Sequence, residues 1–200
     1  GGGLKEGNVA YAPVMFSRGC PYKCHFCHIS KELEGSLGGN TRKYRMKSIN
    51  RIMKELNILK KLGVKYVFIE DDSLLAKKER AKEIFKKVKE MGLQLADVNG
   101  INLAHLCTKV DGKIGVDEPL MESMAAAGFK KLQYPVESAS QRILDKYATG
   151  KLNLKKHDVI GLIKKAKQLG IEIVGNYTFG YPDETFVEIL KTLFLARKHM

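Results

Sequence analysis

Short apolar segments alternate with longer amphipathic segments along most of this chain. The short segments are rich in β-branched and aromatic residues, as strands are, and the longer ones carry apolar residues near helical spacing. The predicted strands are residues 11–17, 65–70, 93–98, 131–136 and 171–179. The predicted helices are residues 48–62, 76–91, 117–127, 139–146, 154–169 and 184–199.

At four places along the chain, a glycine separates a predicted helix from the predicted strand that follows it. Glycine is the residue that most readily ends a helix, because it adopts the left-handed conformation at no steric cost. The four joint positions are Gly63, Gly92, Gly128 and Gly170. Repeated βα units of this kind require a parallel sheet with right-handed crossovers, which an open doubly wound sheet and a barrel both satisfy.

Polar clusters follow the predicted strands, where parallel α/β folds place their chemistry. Three cysteines follow the first strand, Asp71 and Asp72 the second, Glu137 and Ser138 the fourth, and residues 180–185 the fifth. No sixth strand follows the last helix. We therefore expect residues 1–200 to form one domain that is a piece of a longer protein, without its sixth βα unit.

The composition fits a folded domain with no membrane span. The chain has 200 residues, of which 44% are hydrophobic, enough to bury a core. No apolar run approaches the roughly 20 residues of a spanning helix, and the start lacks the apolar stretch of a signal peptide. We expect a cytoplasmic location.

The net charge of +13 is the one unusual feature of the composition. Such a charge could attract tRNA, an acidic protein or an anionic small substrate. Most lysines fall in predicted helices, however, where such runs form solvated faces, and the chain has no Trp and no arginine-rich tail. Charge alone therefore does not establish a nucleic-acid partner.

Three of the four cysteines lie in the single segment that follows the first strand. Cys20, Cys24 and Cys27 have the spacing Cys-x3-Cys-x2-Cys. Three thiolates can ligate three irons of a four-iron cluster, which leaves the fourth iron open to bind a substrate. The alternative is zinc, with His25 or His28 completing a Cys3His set. Cys107 is isolated and is predicted to be a small buried apolar residue.

The cysteine segment resembles the motif of the radical S-adenosylmethionine (SAM) superfamily. It reads Ser-Arg-Gly-Cys-Pro-x-x-Cys-x-Phe-Cys over residues 17–27, and Tyr-Arg-x-x-Ser follows at residues 44–48. The pattern is most similar to the branch that often carries an upstream cobalamin-binding domain, and the resemblance extends over residues 12–199. It implies a partial (β/α) barrel of five to six βα units with parallel strands.

The resemblance also implies the cofactors and their chemistry. Cys20, Cys24 and Cys27 would be the metal ligands and catalytic residues, holding a [4Fe–4S] cluster whose open iron binds SAM. One electron from the cluster would cleave SAM to methionine and a 5′-deoxyadenosyl radical. Phe26 supplies the aromatic residue of the motif and is expected to contact the cofactor.

Further cofactor contacts are implied for the later loops. Asp71 and Asp72 would bind the SAM amino group, and Glu137 with Ser138 would bind its ribose. Gly180 would let the backbone approach the adenine. The alternatives are structural, since acidic and hydroxyl side chains also cap helices: Asp71 and Asp72 for residues 76–91, and Ser138 for residues 139–146.

Three more side chains have a structural alternative that we favour. Glu184 and Thr185 are expected to begin the last helix. Arg142 could pair with the SAM carboxylate, although an exposed helix arginine is the simpler interpretation.

The resemblance leaves several reactions open. The favoured one is cobalamin-dependent methyl transfer or a related anaerobic oxidoreductase or cyclase reaction, with cobalamin held by a domain outside this chain. The alternatives are a tRNA methylthiotransferase-like enzyme and a non-enzymatic zinc module. An electron donor of flavodoxin or ferredoxin type is the expected partner. The sequence does not name the small-molecule substrate. Residues 34–42 either contact it or are a plain connector.

Overall fold

The computed structural model describes residues 10–29, 44–110, 112–148 and 150–199. Nine strands lie in these ranges. They are β1 (Tyr11–Val14), β2 (Ser17–Arg18), β3 (Arg45–Met46), β4 (Tyr66–Ile69), β5 (Gln94–Asp97), β6 (Cys107–Val110), β7 (Lys113–Val116), β8 (Phe129–Glu137) and β9 (Glu172–Tyr177). The six α-helices of the same ranges are α1 (Ile49–Lys61), α2 (Lys78–Val88), α3 (Glu118–Ala126), α4 (Gln141–Tyr147), α5 (Val159–Gln168) and α6 (Phe186–His199).

Five strands form one parallel sheet in the order β1-β4-β5-β8-β9. This order follows the chain from one edge to the other. A doubly wound sheet reverses its order at one point, whereas a barrel wall does not. The structure therefore confirms the partial (β/α) barrel among the two architectures that the βα pattern allowed.

Helix starts follow the capping residues of the sequence. The side chains of Ser48, Asp117 and Asp158 accept hydrogen bonds from the first turns of α1, α3 and α5. Asp158 explains why α5 begins later than the predicted residue 154. The segment before it is a turn, in which the amide of Asn153 donates to Nδ1 of His157 at 2.9 Å.

The predicted helix 76–91 has a more complex structure. Its centre is α2, but 3₁₀ turns over Leu74–Lys77 and Lys89–Met91 form its two ends. Gly92 then adopts the left-handed conformation that ends the segment. The helix prediction is thus confirmed for its middle and wrong for its ends.

Two short antiparallel strand pairs were not predicted. Strand β2 pairs antiparallel with β3, and β6 pairs antiparallel with β7. The predicted first strand 11–17 is divided accordingly, because the chain leaves the parallel sheet after Val14. This turn away from the sheet carries the cysteine segment that follows β2.

The core lies between the sheet and α1, α2, α3 and α5. Phe129 of β8 packs edge-on against Phe85 of α2, with ring centroids 5.2 Å apart. Leu132 and Tyr134 of the same strand are fully buried. The helices thus hold one side of the sheet, and the carboxyl ends of the strands carry the polar loops. In the part of the chain described here, no helix is both long enough and apolar enough to cross a bilayer.

Candidate active site

A cavity of about 390 Å³ lies at the carboxyl ends of the strands. All three clustered cysteines line it, as do Phe26 and His28 from the same loop. It is also lined by Arg18, Asp72, Ser73, Asn99, Gly100, Asn102 and Lys151. The structure therefore brings the cysteine motif and the loop after β4 to one place, as the βα pattern predicted, and adds the loop after β5, which had not been singled out.

Hydrogen bonds to neighbouring elements hold the loop of residues 19–27 in place. At its start, the amide of Gly19 donates to Oδ2 of Asp72 at 2.7 Å. Within it, the amide of Cys27 donates to the carbonyl of Cys24 at 3.1 Å, and the amide of His25 donates to the carbonyl of Tyr147 at 2.8 Å. Gly19 has φ +95°, a conformation that side-chain-bearing residues rarely adopt. The backbone around the thiols is thus held by hydrogen bonds to the loop after β4 and to the last residue of α4.

Asp71 is turned into the protein, and its expected contact with SAM stays a prediction. Its side chain is fully buried, accepts a hydrogen bond from the amide of Phe16 at 2.7 Å, and accepts another from the Ser17 hydroxyl. It does not line the cavity. Burial raises the pKa of its carboxyl group above the ordinary value, although both hydrogen bonds lower it. Asp71 therefore attaches β2 to the end of β4.

The same attachment explains other residues of the motif. The Tyr44 hydroxyl lies 2.9 Å from Oγ of Ser17 and 3.0 Å from the carbonyl oxygen of Ser73, and its single proton is shared between these two acceptors. Arg80 donates to the carbonyl oxygens of Phe16 and Lys47. These contacts hold the entrance of the cysteine loop against α2. They also exclude the helix-cap alternative for Asp71, because α2 begins seven residues later, at Lys78.

Asp72 is the member of the acidic pair that faces the cavity. It supplies the acceptor for Gly19 and lies beside Ser73. Its position is compatible with the expected contact to an ammonium group, since a carboxylate has several acceptor sites. It caps no helix, since the 3₁₀ turn after it has Ser73 as its N-cap residue.

The thiols themselves are unfavourably placed to ionise alone. Burial raises the pKa of Cys24 to about 11 and raises the pKa of Cys20, and the neighbouring thiols add to both shifts. The ammonium group of Lys151 opposes these effects at both residues. Since thiolates are the ligands of iron, a bound iron cluster would supply the positive charge that this pocket needs.

Two buried polar atoms of the cavity lining have no hydrogen-bond partner in the described part of the chain. They are Oγ of Ser73 and Nδ2 of Asn102, in residues that are 4% and 6% exposed. The other amide atom of Asn102 accepts from the amide of Ala104 at 3.0 Å, which leaves the NH₂ group as the unsatisfied one. Unsatisfied buried donors are costly, so this cavity is built to receive a ligand with acceptor atoms.

The cavity thus fits both an iron–sulfur cluster and a polar organic cofactor. Three thiols face it, and their mutual effects on pKa show that they share one space. Among the described residues, no three His, Cys, Asp or Glu side chains are gathered in a group suited to a single metal ion. The donor set is therefore one of sulfur ligands around a cavity with further donors beside it.

Glu137 lies at the end of β8 but not in the cavity lining. Its backbone has φ +67°, which is unusual for a residue other than glycine, at a register shift between β8 and β9. Its carboxylate accepts from Nζ of Lys151 at 2.7 Å and from the Thr178 hydroxyl at 2.9 Å. Both carboxylate oxygens thus already have partners in the protein, and the ribose contact stays a prediction.

Ser138 has a structural position. It is fully buried, and its hydroxyl accepts from the amide of Ser140 at 3.1 Å and contacts the Thr192 hydroxyl at 3.3 Å. It does not line the cavity, and the residue that caps α4 is Ser140. The structure therefore places Ser138 in the turn that precedes α4 without the capping role, and its ribose contact stays a prediction.

Gly180 begins a loop that packs against the cysteine loop. It has φ +83°, and its amide donates to Oε2 of Glu184 at 2.8 Å. The next residue, Tyr181, stacks on Tyr147 at 4.9 Å between ring centroids and contacts the Phe26 ring at 5.8 Å. Phe26 is 44% exposed and lines the cavity. The structure thus brings Gly180 and Phe26 to one side of the site.

Arg142 contacts the residues that follow Gly180 and does not line the cavity. Its guanidinium donates to Asp183 at 2.8 Å and to Glu188 at 2.6 Å. The contact with Arg142 is the main cause that holds the pKa of Glu188 well below the usual range, whereas at Asp183 the main cause is the hydrogen bond from Lys146. The structural roles expected for Glu184 and Thr185 also hold, since Glu184 binds two loop amides and Thr185 accepts from the amide of Glu188.

Sequence reasoning missed Ser73, Asn102 and Lys151. No motif marked them, and only their positions after β4, β5 and α4 gave a signal. Two other expectations have a plain outcome. Cys107 is buried, with its thiol donating to the carbonyl of Leu103 at 3.5 Å, whereas residues 34–42 lie outside the described residues.

The fold and the site together define the class. A singly wound parallel βα array, with three cysteine thiols on its first loop facing a polar cavity, is an α/β-barrel domain built to hold an iron–sulfur cluster. The chain belongs to the radical SAM superfamily, whose family model matches residues 14–196. It is therefore a member of a family of enzymes that use a [4Fe–4S] cluster and SAM, which confirms the expected cofactors.

Curated relatives carry the similarity further. The chain is 30% identical over 195 residues to the uncharacterized methyltransferase PH0819 of Pyrococcus horikoshii, covering 97% of this chain and 38% of the relative. It is 30% identical over 167 residues to the cytidylyl-2-hydroxyethylphosphonate methyltransferase of Streptomyces wedmorensis, covering 83% and 28%. The chain thus spans roughly a third of the length of these relatives.

A solved structure shows the same fold. The radical SAM methyltransferase TsrM from Kitasatospora setae, determined with cobalamin and a [4Fe–4S] cluster bound, aligns with a TM-score of 0.71 at 16% identity. The alignment covers 96% of this chain and 35% of that one. At this identity the similarity establishes the fold of the domain.

Proposed function

We propose that this chain is the catalytic core of a cobalamin-dependent radical SAM methyltransferase. The observation that carries the proposal is the cavity in which Cys20, Cys24 and Cys27 face the unsatisfied donors of Ser73 and Asn102. When bound, the cluster supplies one electron to SAM and breaks one of its carbon–sulfur bonds.

The residues of the chain have distinct parts in this proposal. The three thiolates hold the cluster, and Asp72 accepts hydrogen bonds from the SAM amino group. The donors of Ser73 and Asn102 hold acceptor atoms at the same end of the cavity. Phe26 and the Gly180 loop form the wall on the adenine side, and Glu137 binds the ribose by exchanging the Thr178 hydroxyl for a ribose hydroxyl while it keeps Lys151.

Methyl transfer is favoured by the names of the relatives. Two curated relatives at 30% identity are called methyltransferases, and the TsrM structure contains cobalamin. Cobalamin, the acceptor substrate and its binding surfaces would come from other parts of a longer protein, since the relatives extend well beyond the matched region. We propose residues 1–200 as the radical SAM core of such a protein.

A methylthiotransferase is the second candidate. The putative methylthiotransferase MJ0865 of Methanocaldococcus jannaschii is 27% identical over 178 residues, covering 88% of this chain and 36% of that protein. The net charge of +13 would suit an RNA substrate. This reaction inserts sulfur as well as a methyl group, so a thiomethylated product separates the two candidates.

The electron donor and the compartment follow from the same chemistry. A small flavodoxin or ferredoxin would deliver the single electron, and the basic surface of the chain would attract such an acidic partner. Free clustered thiols persist in reducing compartments, so we place the protein in the cytoplasm.

The test is SAM turnover by the chain after anaerobic reconstitution with iron and sulfide. With dithionite as reductant, we expect 5′-deoxyadenosine and methionine, and with added cobalamin we expect S-adenosylhomocysteine as well. Cys24→Ala should abolish all three products, whereas Cys107→Ala, outside the cavity, should retain them. A fully loaded protein that leaves SAM unchanged under both conditions would contradict the proposal.

A further inference from the structure

Two side chains with permanent positive charge line the cavity in the described part of the chain: Arg18, which is exposed, and Lys151, which is largely covered. Only 17% of the Lys151 side chain is exposed, and its Nζ lies 2.7 Å from Oε1 of Glu137. It lies just after Gly150, which approaches the ring of Tyr22 in the cysteine loop. A buried ammonium group is therefore held next to the thiols.

Glu137 holds this ammonium group in place. The carboxylate is 8% exposed, and its second oxygen accepts from the Thr178 hydroxyl, so its orientation is fixed from two sides. The backbone of Glu137 is held at φ +67° by the β8–β9 register shift, and its carbonyl accepts from the amide of Thr178. A long lysine side chain with four methylene groups would otherwise be free to leave the cavity.

The pair is oriented with its positive end toward the sulfurs. Lys151 lines the cavity and Glu137 does not. At Cys24 the effect of Lys151 on the thiol pKa is the larger, and that of Glu137 is the smallest of the effects that act there. At Cys20 only Lys151 of the two has an effect. The carboxylate thus anchors the ammonium group without cancelling its field at the thiols.

On the basis of the proposed function, we propose that Lys151 is a positioning residue for reduction of the cluster. It supplies a fixed positive charge to the cysteine sulfurs and thereby raises the reduction potential of the [4Fe–4S] cluster. Reduction adds one electron, supplied by a flavodoxin or ferredoxin type donor, and so one negative charge. A nearby buried cation stabilises the reduced form more than the oxidised form.

The test is a redox titration of the reconstituted chain, followed by the electron paramagnetic resonance signal of the reduced cluster. We expect the midpoint potential of Lys151→Met to be more negative than that of the parent protein. Lys151→Arg, which keeps the charge, should restore most of the difference. Lys155→Met is the matched control, because it removes an exposed lysine of the same segment and should leave the potential unchanged.

A second variant guards against loss of folding. Lys151→Met leaves Glu137 as a buried carboxylate without its cation, which is destabilising. The double variant with Glu137→Gln removes both charges, and its potential should still be lower than that of the parent, because Lys151 lines the cavity with the thiols and Glu137 does not.

Different results would contradict the proposed function and the redox role of Lys151. If the parent chain takes up no four-iron cluster, the proposed function fails. If the parent loads and both Lys151→Met and the double variant keep its potential, or neither of these two variants can be loaded at all, the redox role of Lys151 is overturned while the cluster assignment stands.

Discussion

The buried polar side chains at the carboxyl ends of the strands are of two kinds. Some hydrogen-bond within the protein, and others present unsatisfied donors to the cavity. Asp71 and Ser138 have their polar atoms engaged with the protein itself, whereas Ser73 and Asn102 present unsatisfied donors to the cavity. Residue type alone could not make this division, because an aspartate that binds a cofactor and one that binds a backbone amide have the same letter in the sequence.

Asn102 offers a sharp test of the ligand site. Asn102→Asp keeps an oxygen to accept from Ala104 but replaces the unsatisfied NH₂ group with a second carboxylate oxygen. We expect about tenfold weaker SAM binding to the reconstituted protein, by equilibrium dialysis, since a donor is lost and a repulsive charge is gained.

The control for Asn102 is Asn153→Asp. Asn153 also accepts backbone hydrogen bonds through its side-chain oxygen, from Lys155 and Lys156, but it lies outside the cavity lining. Equal losses in the two variants would mean that the added charge, and not the missing donor, weakens binding.

Because the carboxyl group of Asp97 is buried, we expect the stability of the fold to depend on pH. It is 1% exposed at the end of β5, and burial raises its pKa to about 7 although the amides of Gly100 and Gln133 donate to it. The pKa is raised above the unfolded value, so the folded state holds the proton more tightly. Stability is therefore lost as the pH rises through the interval between the two pKa values.

The measurement is urea unfolding at several values between about pH 5 and about pH 8. We expect the parent midpoint to fall with pH, and the fall to be smaller in Asp97→Asn, which cannot ionise. Glu90→Gln, at an exposed position, should keep the parent profile. A profile of Asp97→Asn parallel to that of the parent would contradict this role.

At the scale of the elements, glycine positions determined how well the fold could be predicted. The four predicted helix ends at Gly63, Gly92, Gly128 and Gly170 all have positive φ in the structure. These joints are local, since each depends only on the conformation that glycine allows, and the strand and helix pattern around them was therefore readable.

The elements missed are those that depend on distant partners. The β6–β7 hairpin and the division of residues 11–17 into β1 and β2 have no periodic signal of their own. Strand β2 leaves the sheet because Ser17 bonds to Asp71 and its backbone pairs with β3. The α4 segment likewise gave no sign that Arg142 would hold the loop before α6 through Asp183 and Glu188.

The glycine joints can be tested by a matched pair. A Cβ at Gly128 would collide with the carbonyl oxygen of Leu93, whereas a Cβ at Gly63 would meet nothing within 4 Å. Both positions have positive φ, so Gly63→Ala should cost about 1 kcal/mol from backbone strain alone.

Gly128→Ala should cost clearly more than Gly63→Ala, because it must also displace the strand entry at Leu93. Urea unfolding of the two variants measures the difference. Equal destabilisation would show that the α3–β8 joint is looser than the structure indicates.

At the scale of the whole molecule, the sheet order places chemistry from widely separated parts of the chain around one cavity. Cys20 to Cys27, Asp72, Asn102 and Lys151 come from four different connections, and the parallel sheet brings them to one edge. The edge itself was predictable from the βα pattern. Which side chains at that edge face inward was not, because that depends on backbone details such as the register shift before Glu137.

The metal content of the reconstituted chain tests the central claim most directly. We predict about four irons and four sulfides per chain, and an iron–sulfur absorption band, for the parent and for Cys107→Ala. Cys20→Ala, Cys24→Ala and Cys27→Ala should each lose the cluster. One tightly bound zinc without sulfide, or a cluster that survives loss of each of these three cysteines, would contradict the account.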